Sequence, residues 1–148
     1  MCRKCDELYK VIQGQNMSKR FSKWEQPKVK HGKLTKWNWM VQNPEKLSLG
    51  ENSDIGAFTY INSAFGVDIG NDVQIGSHCA IYSISTIDKK NGKVVIGSNT
   101  SIGSHSTIMP GVKIGKNCIV GAHSFVNKNI PDNFIAYGAP VKLIKERQ

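Results

Sequence analysis

Aliphatic residues recur every six positions along most of this chain. Ile96, Ile102, Ile108, Ile114, Val120 and Val126 form one unbroken series, and Gly follows four of the six. The same step links Leu49, Ile55 and Ile61, and again Ile69, Ile75 and Ile81. A helix repeats every 3.6 residues and a half-buried strand every two, so neither produces this series. A six-residue repeat predicts a parallel β-helix, each hexad giving one short strand and one corner. Taken three hexads to a coil, the chain reads as four coils, 49–66, 69–86, 96–113 and 114–131.

Four positions after each aliphatic comes a side chain suited to the inside of a corner. The series is Ser53, Thr59, Phe65, Val73, Cys79 and Ser85, then Thr100, Ser106, Val112, Cys118, Ser124 and Ile130. Turn formers such as Asn71-Asp72, Ser98-Asn99 and Lys116-Asn117 lie between them, and Asn and Asp tolerate bent backbone well. Two stretches break the register, a short one at Gly66-Val67-Asp68 and a nine-residue one, Ile87–Val95, with Asn91-Gly92 at a turn. Insertions in repeat proteins fall on the surface, so the longer one is either a plain loop or the wall of a site.

An open coil exposes strand edges, so both ends need cover. Residues 34–48 are expected to cap the first coil, with Trp37 and Trp39 packed on it, and Val141–Gln148 to form a short tail helix. The chain divides into a basic arm and cap (1–48), the β-helix (49–131) and a tail (132–148).

Composition narrows the class further. The 148 residues suffice for one domain with a core. No apolar run approaches a membrane span, and the start lacks the apolar stretch of a signal peptide, so a cytoplasmic protein is expected. The net charge of +9 is concentrated: residues 1–36 hold ten Lys/Arg against three Asp/Glu. Residues 1–20 read as a solvated leader, and nucleic-acid binding is not expected because base-stacking aromatics do not interleave the charge. Cys2 and Cys5 form a lone CxxC without the second pair a zinc ribbon needs, and Cys79 and Cys118 fall at core positions.

The register also aligns three histidines. His105 and His123 are eighteen residues apart, and each is the fourth residue of its hexad. His78 holds the same place 27 residues before His105, one coil plus the nine-residue insertion, and Phe58 holds it in the first coil. Coils at sheet spacing would set these side chains in an outward ladder with steps of roughly 4.8 Å. A structural stack at a subunit contact, general acid/base catalysis and metal binding are the competing readings. A ladder along one axis is a poor tetrahedral cage, and no metal is expected.

The stretches Ile102–Gly111 (IGSHSTIMPG), Val120–Val126 (VGAHSFV) and Ile130–Val141 (IPDNFIAYGAPV) resemble the hexapeptide-repeat acyltransferases, in particular the sugar O- and N-acetyltransferases. The resemblance implies an all-β, left-handed parallel β-helix of about four coils, a homotrimer, acetyl-CoA as acyl donor, and active sites in grooves between subunits. It implies that Ser104 and Ala122 line the acetyl-CoA arm, that Lys128 lies near the CoA phosphates, and that Asn62, with Tyr82, contacts the acceptor.

One departure matters. The O-acetylating branch opens the loop after its second coil with a catalytic His, where this chain reads Ser83-Ile84-Ser85-Thr86-Ile87-Asp88. A neutral amine needs less help than a hydroxyl to attack a carbonyl. The expected acceptor is therefore a nucleotide-linked amino sugar or a glycan precursor. His78, placed nearest Asn62 and the loop 87–95, would be the base, and His105 would orient the thioester. The alternatives are a sugar O-acetyltransferase, a metalloenzyme similar to the gamma carbonic anhydrases, and a non-enzymatic interaction module.

Overall fold

The computed structural model describes Phe21 and residues 23–148; Cys2, Cys5 and the basic leader 1–20 lie outside the described residues. Short parallel strands stack into three faces of a prism. Face A holds Met40–Gln42, Tyr60–Asn62, Ala80–Tyr82, Thr107–Ile108 and Phe125–Val126. Face B holds Leu47–Leu49, Val67–Ile69, Val94–Ile96 and Lys113–Ile114. Face C runs from Asp54–Ile55 through Gln74–Ile75, Ser101–Ile102 and Ile119–Val120 to Phe134–Tyr137 and Lys142–Glu146. This is the left-handed parallel β-helix. Strands at 40–42 and 134–137 extend the stack at both ends, giving about five turns where the hexad count gave four. No helix among the described residues is long and apolar enough to cross a membrane.

The repeat works because like stacks on like. Ile55, Ile75, Ile102 and Val120 pair in register down face C, and Ile61, Ile81, Ile108 and Val126 down face A. These columns are buried and form one continuous core. Each apolar side chain removed from water contributes roughly 1.5–3 kcal/mol.

The glycine that follows the aliphatic on faces B and C has a steric cause. A Cβ on Gly76 would lie 2.6 Å from the Ser104 nitrogen, and one on Gly103 would lie 2.7 Å from the Ala122 Cα. Backbone presses on backbone there, and no side chain can move aside.

The small polar residues inside the corners also have a function. A sharp turn strands peptide groups that no strand pairs, and buried ones must find partners. The Ser53 hydroxyl donates to the Gly70 carbonyl at 2.7 Å, and the Thr100 hydroxyl to the Gly115 carbonyl at 2.7 Å. Each hydroxyl oxygen also accepts an N–H from the next coil, Val73 at 3.2 Å and Cys118 at 3.0 Å. Among the described residues no buried side-chain polar atom lacks a partner.

Four sequence expectations need correction. Phe65 and Ser85 are not inside: Phe65 is 48% exposed, while Ser63 and Ser83 are fully buried. The face A to face B corner takes two extra residues between Ile61 and Ile69, so the interior slot that Val112 fills in a later coil passes to Val67, with Val94 in register on it. Second, Trp37 is not buried against the first coil. It is 42% exposed, with the Lys36 ammonium 4.4 Å from its ring centroid, while Trp39 alone is buried. Third, the tail is not helical. Lys142–Glu146 is a strand that folds back antiparallel on Phe134–Tyr137. A helix of eight residues is marginal in water, whereas the last strand of face C offers unpaired backbone groups to any strand that covers it. Lys142, Lys145 and a register shift between Ile135 and Ala136 blunt the new edge. The fourth correction is the coil count.

Two measurements check this account. Gly103→Ala is expected to lower unfolding free energy by about 1–3 kcal/mol, the scale of an overpacked core, in urea titrations. The second concerns Cys79, whose buried thiol donates to the Gly103 carbonyl at 3.3 Å. Burial pushes this thiol above its ordinary 9.0. The folded chain therefore keeps a proton that the unfolded chain releases above that value, so this contribution is level below pH 9 and falls as pH rises further. The stability difference between the native chain and Cys79→Ser should be constant to about pH 9 and shrink above it.

Candidate functional site

The predicted ladder exists. His78, His105 and His123 stack on the edge between faces C and A, with ring centroids 4.8 and 4.9 Å apart and planes within 4° and 6° of parallel. Phe58 caps the column 5.3 Å from His78. All four are exposed, and all four have left-handed backbone, with φ between 57° and 61°. His, like Asn, enters this region more readily than most residues, and the neighbouring edge uses Asn52, Asp72, Asn99, Asn117 and Asn133 for the same bend. The histidines are thus compatible with the turn that displays them.

The backbone ties each step to the next. His105 N–H donates to the Ser77 carbonyl at 3.0 Å and His123 N–H to the Ser104 carbonyl at 2.9 Å. Those two N–H groups are committed to the stack. The N–H groups of Ser104 and Ala122, one residue earlier, are the candidate donors at this corner. Ser104 and Ala122 sit one residue before His105 and His123, beside the column.

Asn62 and Tyr82 form a second group. They pair in register at the far end of face A, close to the A/B edge. Asn62 Oδ1 accepts the Ala64 N–H at 3.1 Å, and Nδ2 donates to the Tyr60 hydroxyl at 3.4 Å. The Tyr60 and Tyr82 rings are 5.8 Å apart. Tyr60 went unnoticed in the sequence, although strict alternation in Tyr60-Ile61-Asn62 puts it on the same outer face as Asn62. Lys128 stands exposed at the A/B corner of the next-to-last turn.

The nine-residue insertion is a hairpin. Ile84–Ser85 pairs antiparallel with Lys90–Asn91, and the Gly92 N–H closes its base on the Ser83 carbonyl at 2.9 Å. The Ser85 hydroxyl holds the Asp88 carboxyl below the usual carboxylate range, with Lys90 3.5 Å away. Ile87 at the tip is 97% exposed.

His78 is the rung of the ladder nearest in height to Asn62 and this hairpin, but it stands on a different edge of the prism. Both emerge at the A/B edge, and His78 stands on the C/A edge. Four residues of extended chain, roughly 13 Å, separate His78 from Tyr82. Within one chain the predicted residues fall into two groups at opposite margins of face A. A hollow of about 240 Å³ lies instead under the cap, between Trp24, Trp37, Trp39 and Ile55, and includes none of them. Among the described residues no three His, Cys, Asp or Glu side chains converge on a metal position.

Comparison with known proteins gives these groups a context. Residues 93–128 match the family model described as bacterial transferase hexapeptide (six repeats), and residues 46–83 match the hexapeptide repeat of succinyl-transferase. The chain is 36% identical over 124 residues to the galactoside O-acetyltransferase of Escherichia coli K12, covering 74% of this chain and 61% of that protein. It therefore spans about three-fifths of the length of such curated relatives. A galactoside acetyltransferase in complex with coenzyme A superposes with a TM-score of 0.69 at 29% identity, covering 74% of this chain and 60% of the other. AntD, an N-acyltransferase from Bacillus cereus in complex with dTDP and 3-hydroxybutyryl-CoA, gives a TM-score of 0.62 at 28% identity, covering 78% and 79%.

Proposed function

The chain belongs to the hexapeptide-repeat transferases, and from that premise we propose that it is an acetyl-CoA-dependent acetyltransferase acting on a sugar, with a nucleotide-linked amino sugar as acceptor. The observation that carries this reading is the exposed imidazole column beside Ser104 and Ala122, on a fold whose similar structures hold coenzyme A. Acetyl-CoA supplies an activated acyl carbonyl and a good leaving group. His78 accepts the proton that the acceptor loses as it attacks. The N–H groups of Ser104 and Ala122 stabilise the negative charge that builds on the carbonyl oxygen. His105 orients the acyl end, and the exposed Lys128 suits the phosphates of a polyanion.

The amine acceptor is supported by the hairpin, which carries no histidine between Ser83 and Gly92. The AntD structure, with its N-acyl transfer and its dTDP, is the similar protein that fits this acceptor.

The separation of the two groups supports a homotrimer. A site that needs His78 from the C/A edge and Asn62 and Tyr82 from the A/B edge is completed when one chain's edge meets the neighbour's. A cytoplasmic setting suits both substrates.

Two experiments test the reading. His78→Asn keeps a residue at ease in the left-handed turn and removes the base, so kcat should fall by about 10²–10⁴. With an amine acceptor, raising the pH should partly restore it; an unchanged kcat refutes the assignment. The second experiment mixes His78→Asn chains with Asn62→Ala/Tyr82→Ala chains, each inactive alone. Sites shared between neighbours should recover about a quarter of native activity on random co-assembly. No recovery, or a monomer by light scattering, removes the shared site.

A further inference from the structure

The cap above the first coil carries charge and apolar surface that the transfer reaction leaves unused. We propose that it docks the protein on an anionic lipid bilayer, with the turn 34–37 entering the headgroup region and the lysines around it resting on the lipid phosphates.

The charge is gathered at one end of the prism. Residues 21–39 hold Lys23, Lys28, Lys30, Lys33 and Lys36 against Glu25 alone, and all five lysines are exposed. Among the described residues, Lys36 is the one of these five that meets a carboxylate, Glu25 at 3.6 Å. The preceding twenty residues add five Lys/Arg against two Asp/Glu. Beyond residue 48 the chain is close to balance, with nine Lys/Arg against seven Asp/Glu.

Charge alone would suit any polyanion, and the apolar groups narrow the partner. The Thr35 N–H donates to the Trp39 carbonyl at 2.8 Å, and the Asn38 N–H to the Thr35 carbonyl at 2.9 Å, which closes a tight turn. The buried Thr35 hydroxyl oxygen accepts the N–H groups of Trp37 and Trp39, each at 3.3 Å. The turn is thus held from within, while Leu34 and Trp37 stand in water at 54% and 42% exposure. Lys33 and Lys36 precede them, and the Lys36 ammonium lies 4.4 Å from the Trp37 ring centroid. An indole, an aliphatic side chain and long-stemmed ammonium groups together suit the boundary between lipid phosphates and acyl chains.

Other polyanions fit less well. A single-stranded nucleic acid needs successive aromatic faces for its bases. The other two indoles of the cap are turned inward: Trp39 is buried, and Trp24 donates its Nε1–H to the Ser53 carbonyl at 2.9 Å. An acidic glycan offers charge without an apolar phase for Leu34. A cytoplasmic membrane leaflet supplies both, since it is rich in anionic lipid. The proposal goes beyond the transfer reaction. Leu34 and Trp37 lie outside the residues assigned to that reaction, so docking can fail while transfer to a soluble acceptor continues.

Co-sedimentation of the untagged, full-length chain with lipid vesicles tests it. One set is phosphatidylcholine, the other phosphatidylcholine with about one-third phosphatidylglycerol. The anionic set should bind at least about tenfold more tightly. Lys28→Gln/Lys30→Gln/Lys33→Gln should weaken that binding by about a hundredfold, near fivefold for each lysine at the surface. Leu34→Ser/Trp37→Ser should weaken it by about tenfold. That factor should persist at high salt, where the charge contribution is screened. Brominated acyl chains should quench tryptophan fluorescence in the native chain and not in Trp37→Phe. Unchanged circular dichroism spectra are the control for folding. Equal affinity for the two vesicle sets overturns the proposal, as does a loss confined to the lysine variant or quenching that survives in Trp37→Phe. Binding of a mixed-sequence oligonucleotide in preference to the anionic vesicles makes the partner a nucleic acid and overturns it too.

Discussion

Everything in this molecule follows from how closely one coil rests on the next. Strands in a sheet are spaced by about 4.8 Å, and here that spacing applies at the corners as well as along the faces. A corner is bulkier than a strand, so the backbone must turn without adding height. Three residue choices answer that demand, each at a subset of the corners. Glycine after the aliphatic removes the Cβ that would strike the coil above. A residue tolerant of positive φ completes the bend. A small hydroxyl or thiol inside the corner hydrogen-bonds the peptide groups that the bend strands.

This explains which parts were legible in the sequence. Inward aliphatics, buried Cys79 and Cys118, and the alignment of three histidines across an insertion all follow from counting, because the stack converts sequence register directly into contact. Counting fails where a corner lengthens. Two extra residues between Ile61 and Ile69 do not announce which side of the bend they occupy, and so a count of six points to Phe65 for the slot that Val67 fills. It fails again at the ends, where no further coil enforces the period. The tail Lys142–Glu146 alternates too briefly to separate strand from helix, and the deciding factor, an unpaired edge on Phe134–Tyr137, belongs to the tertiary structure.

The candidate site shows the same limit from another side. Periodicity states which residues lie above one another along the prism. It is silent on what faces what around it. His78 and Tyr82 are four residues apart and look like neighbours in the sequence, yet they stand at opposite margins of one face. A prism only three strands around has no interior left for a cleft, since the aliphatic columns fill it. Chemistry on such a body takes place outside, on edges, and draws its second wall from another surface.

The left-handed bend beneath the histidines has a further consequence. Most side chains are penalised there, so the backbone limits what selection can try at that edge. The small set that fits readily, Gly, Asn, Asp and His, contains one acid, one amide, one residue with nothing to offer, and one ring that exchanges protons near neutrality. A scaffold shaped for height alone thus carries a short chemical vocabulary at three of the four turns of this edge, Phe58 standing outside it. Changing a single codon among those four rewrites the surface without disturbing the stack that presents it.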